Sequence, residues 1–261
     1  MSLREATLAD DQHTSFDSAE GQRGLEDHYE QWFAQIESDF RATTLNQLVL
    51  ALTPAGRVLD MGCGSGALSA ELQKAGRDVV SQDLSDRMVA MCRTHLTKQG
   101  CDADKVRLGG VDAIPEREHS DAVIALDVIE HIEDDVDAVK RMREALRPGG
   151  TLVLSVPALS GLYGPKDTEV GHFRRYDKPD LLSVIDHAGL EVQSCRYWNL
   201  LGVAPVWLSN KRGKRLDESL RYSKSAPKRM LNRALRFWFE YLENPLSPPL
   251  GMTLLLTATP R

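Results

Sequence analysis

Apolar residues follow two different spacings along this chain. Trp32, Phe33, Ile36 and Phe40, then Leu45, Leu48, Val49 and Leu52, recur at helical intervals. They predict helix across residues 26–52, closed by Pro54 and Gly56. Beyond that point short apolar runs alternate with helical stretches. Strands are expected at Arg57–Asp60, Asp78–Gln82, Lys105–Gly109, Asp121–Leu126, Thr151–Val156, Leu190–Tyr197 and Met252–Thr259. Helices are expected at Gly66–Ala75, from a cap at Ser85 or Asp86 to Thr97, and at Lys178–Ala188. Another starts at Asp134 or Asp135, carries one face of Val136, Val139, Met142, Ala145 and Leu146, and ends at Pro148-Gly149-Gly150. Thr151–Val156 is continuously apolar, the mark of a central strand. Strands alternating with helices predict an α/β fold, a mostly parallel sheet covered on both faces.

Two stretches break this rhythm. Pro157–Asp177 reads as a long loop rich in Gly, Tyr, His and Arg, and Trp198–Leu250 separates the last two strands. Long interruptions in a compact domain usually carry function. The expected organisation is a loose polar tail over 1–24, a helical cap over 25–56, and one domain over 57–261 that includes a helical insertion at 198–250. Within the insertion, Leu231, Leu235 or Ala234, Trp238 and Leu242 share a helical face, while Arg229, Arg233 and Arg236 project elsewhere.

The chain has 261 residues, with 32 basic and 38 acidic, for a net charge of −6. That balance argues against a nonspecific nucleic-acid binder. The charge is uneven: Lys211 to Glu243 holds ten basic and four acidic residues, a local +6 that leaves −12 for the remainder. This basic insertion suits an anionic or amphipathic small-molecule partner; the alternatives are a solvated outer face and a peripheral membrane contact. The four cysteines make no Cys-x-x-Cys pair, no metal-ligand cluster stands out, and no signal peptide or membrane-length apolar run is evident. A cytoplasmic setting is expected.

Val58-Leu59-Asp60-Met61-Gly62-Cys63-Gly64-Ser65-Gly66 joins the first strand to a helix. Glycines there let backbone approach a ligand, and the helix start aims amides at a polar group. The Gly-x-Gly-x-Gly spacing departs by one residue from the dinucleotide fingerprint, which argues against a nicotinamide oxidoreductase. Asp83 ends the second strand, where a carboxylate can accept from both hydroxyls of a ribose.

These motifs resemble those of class I S-adenosylmethionine-dependent methyltransferases. Val58–Gly66 is similar to that family's first motif and Asp83 to its second-strand acid. Val111-Asp112-Ala113, Leu126–Ile132 and Leu146–Thr151 resemble three further segments in the right order. The resemblance implies a Rossmann-like seven-stranded sheet in the order 3-2-1-4-5-7-6, with strand 7 antiparallel. It also implies S-adenosylmethionine as cofactor. Carried over by position, Asp60 would meet the methionine ammonium, and Gly62, Cys63 and Gly64 would offer backbone. Asp83 would hold the ribose; Leu84, Met88, Asp112 and Ala113 would surround the adenine. Leu126 and Asp127 would stand by the sulfonium. Tyr29, in His28-Tyr29-Glu30-Gln31-Trp32-Phe33, resembles an aromatic entry segment that closes over the cofactor.

The expected reaction is methyl transfer to a small-molecule acceptor, oxygen favoured over the nitrogen or carbon of a small or prenyl-like metabolite. A non-catalytic cofactor-binding protein is the rival from outside enzymology. If the acceptor loses a proton, histidine is the natural base. His131, just after strand four, and His172, in the run Gly171-His172-Phe173-Arg174-Arg175-Tyr176, are the candidates. Tyr163, Arg174, Arg175 and Trp198 are the expected acceptor contacts, the arginines for an acidic group. Against this stands the possibility that one arginine ties the loop to Asp167 or Asp177.

Overall fold

The computed structural model describes residues 40–115, 119–212 and 226–261. Helix α1 spans Phe40–Leu52 and leads into strand β1, Arg57–Met61. Then come α2 (Ala67–Lys74), β2 (Asp78–Asp83), α3 (Asp86–Lys98), β3 (Val106–Leu108), β4 (Ser120–Leu126), α4 (Asp135–Glu144) and β5 (Leu146–Pro157). The second half holds α5 (Pro165–Glu169), α6 (Lys178–His187), β6 (Leu190–Trp198), α7 (Val203–Arg212), α8 (Ala226–Trp238), α9 (Asn244–Leu246) and β7 (Thr253–Pro260). Tyr29, Trp32 and Phe33 lie outside the described residues.

The seven strands form one sheet in the order β3-β2-β1-β4-β5-β7-β6, as the resemblance implies. The first five pair in parallel, and β7 runs antiparallel to both β5 and β6. Side chains alternate across it, so Val58 and Leu59 fall in different apolar clusters, as do Leu255 and Leu256. One face packs Val139 and Met142 of α4 with Leu181 and Ile185 of α6. The other takes Val49 of α1 and Leu68 and Leu72 of α2. Helices on both faces leave the carboxyl ends of the parallel strands as the open edge, where ligands of such sheets bind.

The capping residues resolve cleanly. Ser85 caps α3 by accepting from the Met88 amide at 3.4 Å, and Asp134 caps α4 by accepting from the Asp137 amide at 2.9 Å. One boundary differs from expectation. Leu146 is not part of the α4 face; it starts β5 by pairing with Ser120, after which the register shifts so that Ala122 meets Thr151. Pro148-Gly149-Gly150 is therefore a bulge within the strand, with Gly149 at φ +77°. Pro157–Asp177 is also more than a loop. It contains α5 and returns to the sheet through a bridge between Ala158 and Tyr176.

Among the described residues, no helix is long and apolar enough to cross a membrane.

Candidate functional site

The glycine turn is suspended from β2. The Gly62 and Cys63 amides donate to the Gln82 carbonyl at 2.8 and 3.1 Å. Gly62 has φ +69°, and a Cβ there would stand 2.6 Å from Val128 Cγ2, so the position needs glycine on two counts. The Gly64 amide donates to Asp83 Oδ2 at 2.9 Å, and the Ser85 amide to Asp83 Oδ1 at 3.0 Å. Each Asp83 oxygen keeps a lone pair for another donor. Burial pushes the Asp83 carboxyl above its ordinary value, partly offset by the Ser85 and Gly64 amides.

Asp60 lies beneath the turn, 3% exposed. It accepts from the Ser69 hydroxyl at 2.5 Å, and Ser69 in turn accepts from Ser81 at 2.8 Å. Burial pushes its pKa up to about 7, against the pull of Ser69 and with the help of Asp83's charge. The Cys63 thiol is buried too. Its hydrogen bond with Cys92 and its burial hold its pKa well above that of a free thiol, so what Cys63 offers is backbone.

The second part of the site lies at the ends of β2 and β3. Leu84 is 77% exposed, and Asp112 is exposed on a single 3₁₀ turn, Val111–Ala113. A Cβ on Gly110 would meet Asp112 Oδ1 at 2.8 Å and Leu84 Cδ1 at 3.5 Å, so these two side chains converge over that glycine. Gln82 fixes the loop: its amide donates to the Gly110 carbonyl at 2.7 Å and its oxygen accepts from Arg107 at 2.6 Å. Ala113 packs against Gly109, while Met88 is buried on α3 rather than open to a ligand. At the end of β4, Leu126 is half-buried. Asp127 takes a left-handed backbone, φ +53°, with its carboxylate accepting from Ser155 at 3.0 Å.

The third part combines the 3₁₀ turn Ile129–His131 with the loop after β5. Glu130 is 0% exposed, and neither carboxylate oxygen has a hydrogen-bond partner. Burial and the charge of Asp127 hold its pKa well above the carboxylate range. The His131 and His172 rings meet edge to face, centroids 4.7 Å apart. His172 Nδ1 is 2.9 Å from Asp167 Oδ1, and its Nε2 is 3.9 Å from Glu130 Oε1. Burial, then the neighbouring His172, push the His131 pKa down to about 4.

Both arginines of the His-Phe-Arg-Arg run are committed to structure, which corrects their expected role as acceptor contacts. Arg175 is buried, ion-paired to Asp167 at 2.8 Å and donating to the Ala158 carbonyl at 3.2 Å. Arg174 forks between Asp135 at 2.8 Å and the Glu133 carbonyl at 2.7 Å, and the Tyr176 hydroxyl joins it on Asp135 at 2.7 Å. Asp167 also accepts from the Gly164 amide at 2.9 Å. Burial alone would raise Asp167, but the hydrogen bonds from His172 and Arg175 outweigh it and hold the carboxyl below its ordinary value. Tyr163 is exposed, with its hydroxyl donating to the His172 carbonyl at 2.7 Å.

Trp198 also needs correcting: it is 0% exposed. Its ring packs on Phe239 at 4.9 Å and its indole N–H donates to Asn244 Oδ1 at 3.0 Å, so it anchors the insertion to β6 and is closed to an acceptor. The insertion exposes Trp207 on α7, under Lys211 at 4.2 Å, and a ring pair of Phe237, on α8, with Tyr241 in the π-helical turn Phe239–Glu243 that follows it.

Sequence reasoning assigned no role to Glu130, considered Asp135 only as a helix start, and treated Asp167 only as a possible tether. The one local signal for Glu130 was its place beside His131; its relation to His172 crosses some forty residues and no periodicity reports it.

Residues 59–154 match the methyltransferase domain family. A ubiquinone biosynthesis O-methyltransferase of Xanthomonas axonopodis pv. citri is 33% identical over 159 residues, covering 54% of this chain and 66% of that protein. One of the same name from Cereibacter sphaeroides is 35% identical over 99 residues, 38% of this chain and 40% of that protein. The chain thus spans less than two thirds of the length of these curated relatives. A solved TehB-like SAM-dependent methyltransferase from Corynebacterium glutamicum superposes with a TM-score of 0.57 at 17% identity, covering 92% of this chain and all of that one.

The core has the class I S-adenosylmethionine-dependent methyltransferase fold. The residues of this methyltransferase domain suit that cofactor. A buried carboxyl at Asp60 calls for a cation, Asp83 retains acceptor capacity, and the exposed Leu84 beside Asp112 offers an apolar face next to a polar edge.

Proposed function

We propose that the chain transfers the methyl group of S-adenosylmethionine to a hydroxyl oxygen of a small-molecule acceptor. When bound, the cofactor supplies a methyl group activated on a sulfonium, so the O–CH₃ bond forms as the S–CH₃ bond breaks. Asp60 would bind the ammonium, Gly62, Cys63 and Gly64 would line the methionine portion with backbone, and Asp83 would accept from the ribose. Leu84 would pack on the adenine, with Asp112 and Ala113 at its polar edge. What remains for the protein is alignment, exclusion of water and removal of the acceptor proton.

The observation that carries the reading is the position of the Glu130–His131–His172 group. Glu130 and His131 follow β4 at the open edge of the sheet, His172 meets them from the loop after β5, and Val128 packs against the glycine turn. The acceptor proton would be lost at this group. The names of the curated relatives support oxygen as the acceptor atom. The exposed Trp207, Phe237 and Tyr241, with Lys211 on α7, support an amphipathic or anionic acceptor approaching along the insertion.

The test is methyl transfer from labelled S-adenosylmethionine to a panel of phenols, catechols and prenylated hydroxylated rings, followed by mass spectrometry. Label on oxygen, with S-adenosylhomocysteine formed in equal amount, is the expected result. Tight cofactor binding without transfer to any member, or transfer to nitrogen alone, would sink it.

A further inference from the structure

Helix α8 and the π-helical turn Phe239–Glu243 are held to the fold along one side. Phe239 packs on Trp198, and the Trp238 indole donates to Glu243 Oε2 at 2.7 Å. The Arg196 guanidinium donates to the Glu243 and Asn244 carbonyls at 2.8 and 2.6 Å. Glu243 is buried and accepts from the Leu200 amide at 2.9 Å, which fixes the helix end beside the end of β6. Along its length α8 lies against α1. Its outward side is apolar as well. Met230, Ala234, Phe237 and Tyr241 recur at helical spacing and are all exposed, Met230 by 73%, Phe237 by 57% and Tyr241 by 63%. The Phe237 and Tyr241 rings stack at 4.9 Å, so the stripe runs on into the turn. Beyond it Leu246 and Leu250 are exposed too. Scattered apolar residues on a surface are ordinary, but large ones repeated along one helix face mark a contact surface. Arg233 and Arg236, both exposed, border the stripe.

We propose that this face of α8 docks on an anionic phospholipid surface, with the helix lying in the interface. Charge selects the occupant. Lys211 to Glu243 holds ten basic and four acidic residues on a chain of net charge −6, so an anionic surface repels the body of the protein and attracts this segment. Of the four acids, Glu243 is turned inward and Glu240 is paired with Arg236 at 3.1 Å. A second copy of the chain meeting this face across a two-fold axis would set arginines against arginines. An acidic peptide would answer the arginines and leave Met230, Phe237 and Tyr241 in water. A bilayer answers both: the apolar stripe enters the boundary between headgroups and acyl chains, and the guanidinium groups stay at the level of the phosphates. Among the described residues no helix is long enough to cross, so the contact is peripheral. The proposal stands apart from the methyl-transfer reading, because nothing in it involves the cofactor frame.

The full chain is co-sedimented with vesicles of phosphatidylcholine containing about one quarter phosphatidylglycerol, and with vesicles of phosphatidylcholine alone. Binding to the anionic vesicles should be about tenfold tighter, and should weaken about tenfold when salt is raised from about 0.1 M to about 0.5 M. Phe237→Ser with Tyr241→Ser leaves the charge unchanged and should weaken binding about tenfold at low salt. Arg233→Gln with Arg236→Gln should weaken it by a similar factor and flatten the salt dependence. Circular dichroism and cooperative urea unfolding check that each variant is folded. If the double serine variant does not fold, Tyr241→Trp replaces it: the fluorescence added at the exposed position should be quenched by anionic vesicles with brominated acyl chains. No sedimentation of the native chain, equal binding to neutral vesicles, binding unchanged in the double serine variant, or no quenching of the added tryptophan overturns the proposal. So does a homodimer that those two serine substitutions abolish while the native chain ignores vesicles; this outcome assigns the face to a second copy.

Discussion

Asp60 offers a test that joins stability to cofactor binding. Its carboxyl is pushed from an ordinary 3.8 to about 7 by burial, so the folded chain binds a proton there that the unfolded chain has released. A group with more protons bound in the native state makes stability fall as pH rises, here across the window from about 4 to about 7. The loss should be about 1–2 kcal/mol at pH 5 and about 4 kcal/mol at pH 7, with little further change above. Asp60→Asn keeps the shape, can still accept from Ser69, and does not titrate. Urea denaturation of both proteins without cofactor, from pH 5 to 8, therefore isolates this residue. The variant should gain about 2 kcal/mol on the native chain between pH 5 and pH 7. Cofactor binding should move the opposite way. The ammonium favours the ionised carboxyl, so binding near pH 7 releases roughly half a proton, read by calorimetry in two buffers of different ionisation enthalpy. Asp60→Asn should lose that release along with most of the affinity. A pH-independent stability difference, or proton release unchanged in the variant, would refute the assignment of Asp60 as the buried acid facing the ammonium.

Three further outcomes follow from the geometry. Gly62→Ala should cost about 1–3 kcal/mol and abolish cofactor binding measured by calorimetry; adding Val128→Ala relieves the 2.6 Å clash but not the φ of +69°, so recovery should be partial. Asp167→Asn should destabilise by about 3 kcal/mol at neutral pH by leaving the buried Arg175 short of its partner. Because the Asp167 pKa is lowered by folding, the difference from the native chain should be full above about 4 and shrink as pH falls below it, measured by denaturation. Trp198→Ala should cost about 3–5 kcal/mol in stability. Its acceptor KM should be unchanged under conditions where it remains folded; a raised KM with unchanged stability would return Trp198 to the acceptor site.

Most of the fold was legible because its signals are local. The strand-and-helix alternation follows from apolar periodicity, and the helix starts follow from Ser85 and Asp134, each three residues ahead of the amide it caps. The Leu146 boundary was not legible. A helix ending and a strand beginning share the same apolar residue there, and only pairing with Ser120 decides between them. The cofactor frame was legible for a similar reason to the helices: each motif sits at the end of a strand, and a parallel sheet gathers strand ends at one edge. The acceptor side was not. Aromatic and basic residue types in a long segment are compatible with a ligand surface or with internal ties, and Trp198, Arg174 and Arg175 proved to be ties.

The amino-acid sequence by itself determined the sheet, its order through the family resemblance, and the glycine turn with Asp60 and Asp83 on either side. Those features depend on residues close together in the chain, where backbone geometry and side-chain spacing are enough. Tertiary structure decided the chemistry opposite the cofactor frame. It buried Glu130 without a hydrogen bond, brought His172 from across some forty residues to face it, and used Asp167 to fix the ring. Such an arrangement depends on which side chains desolvation forces together once helices and loops pack on the sheet, and that information is absent from any single stretch of sequence.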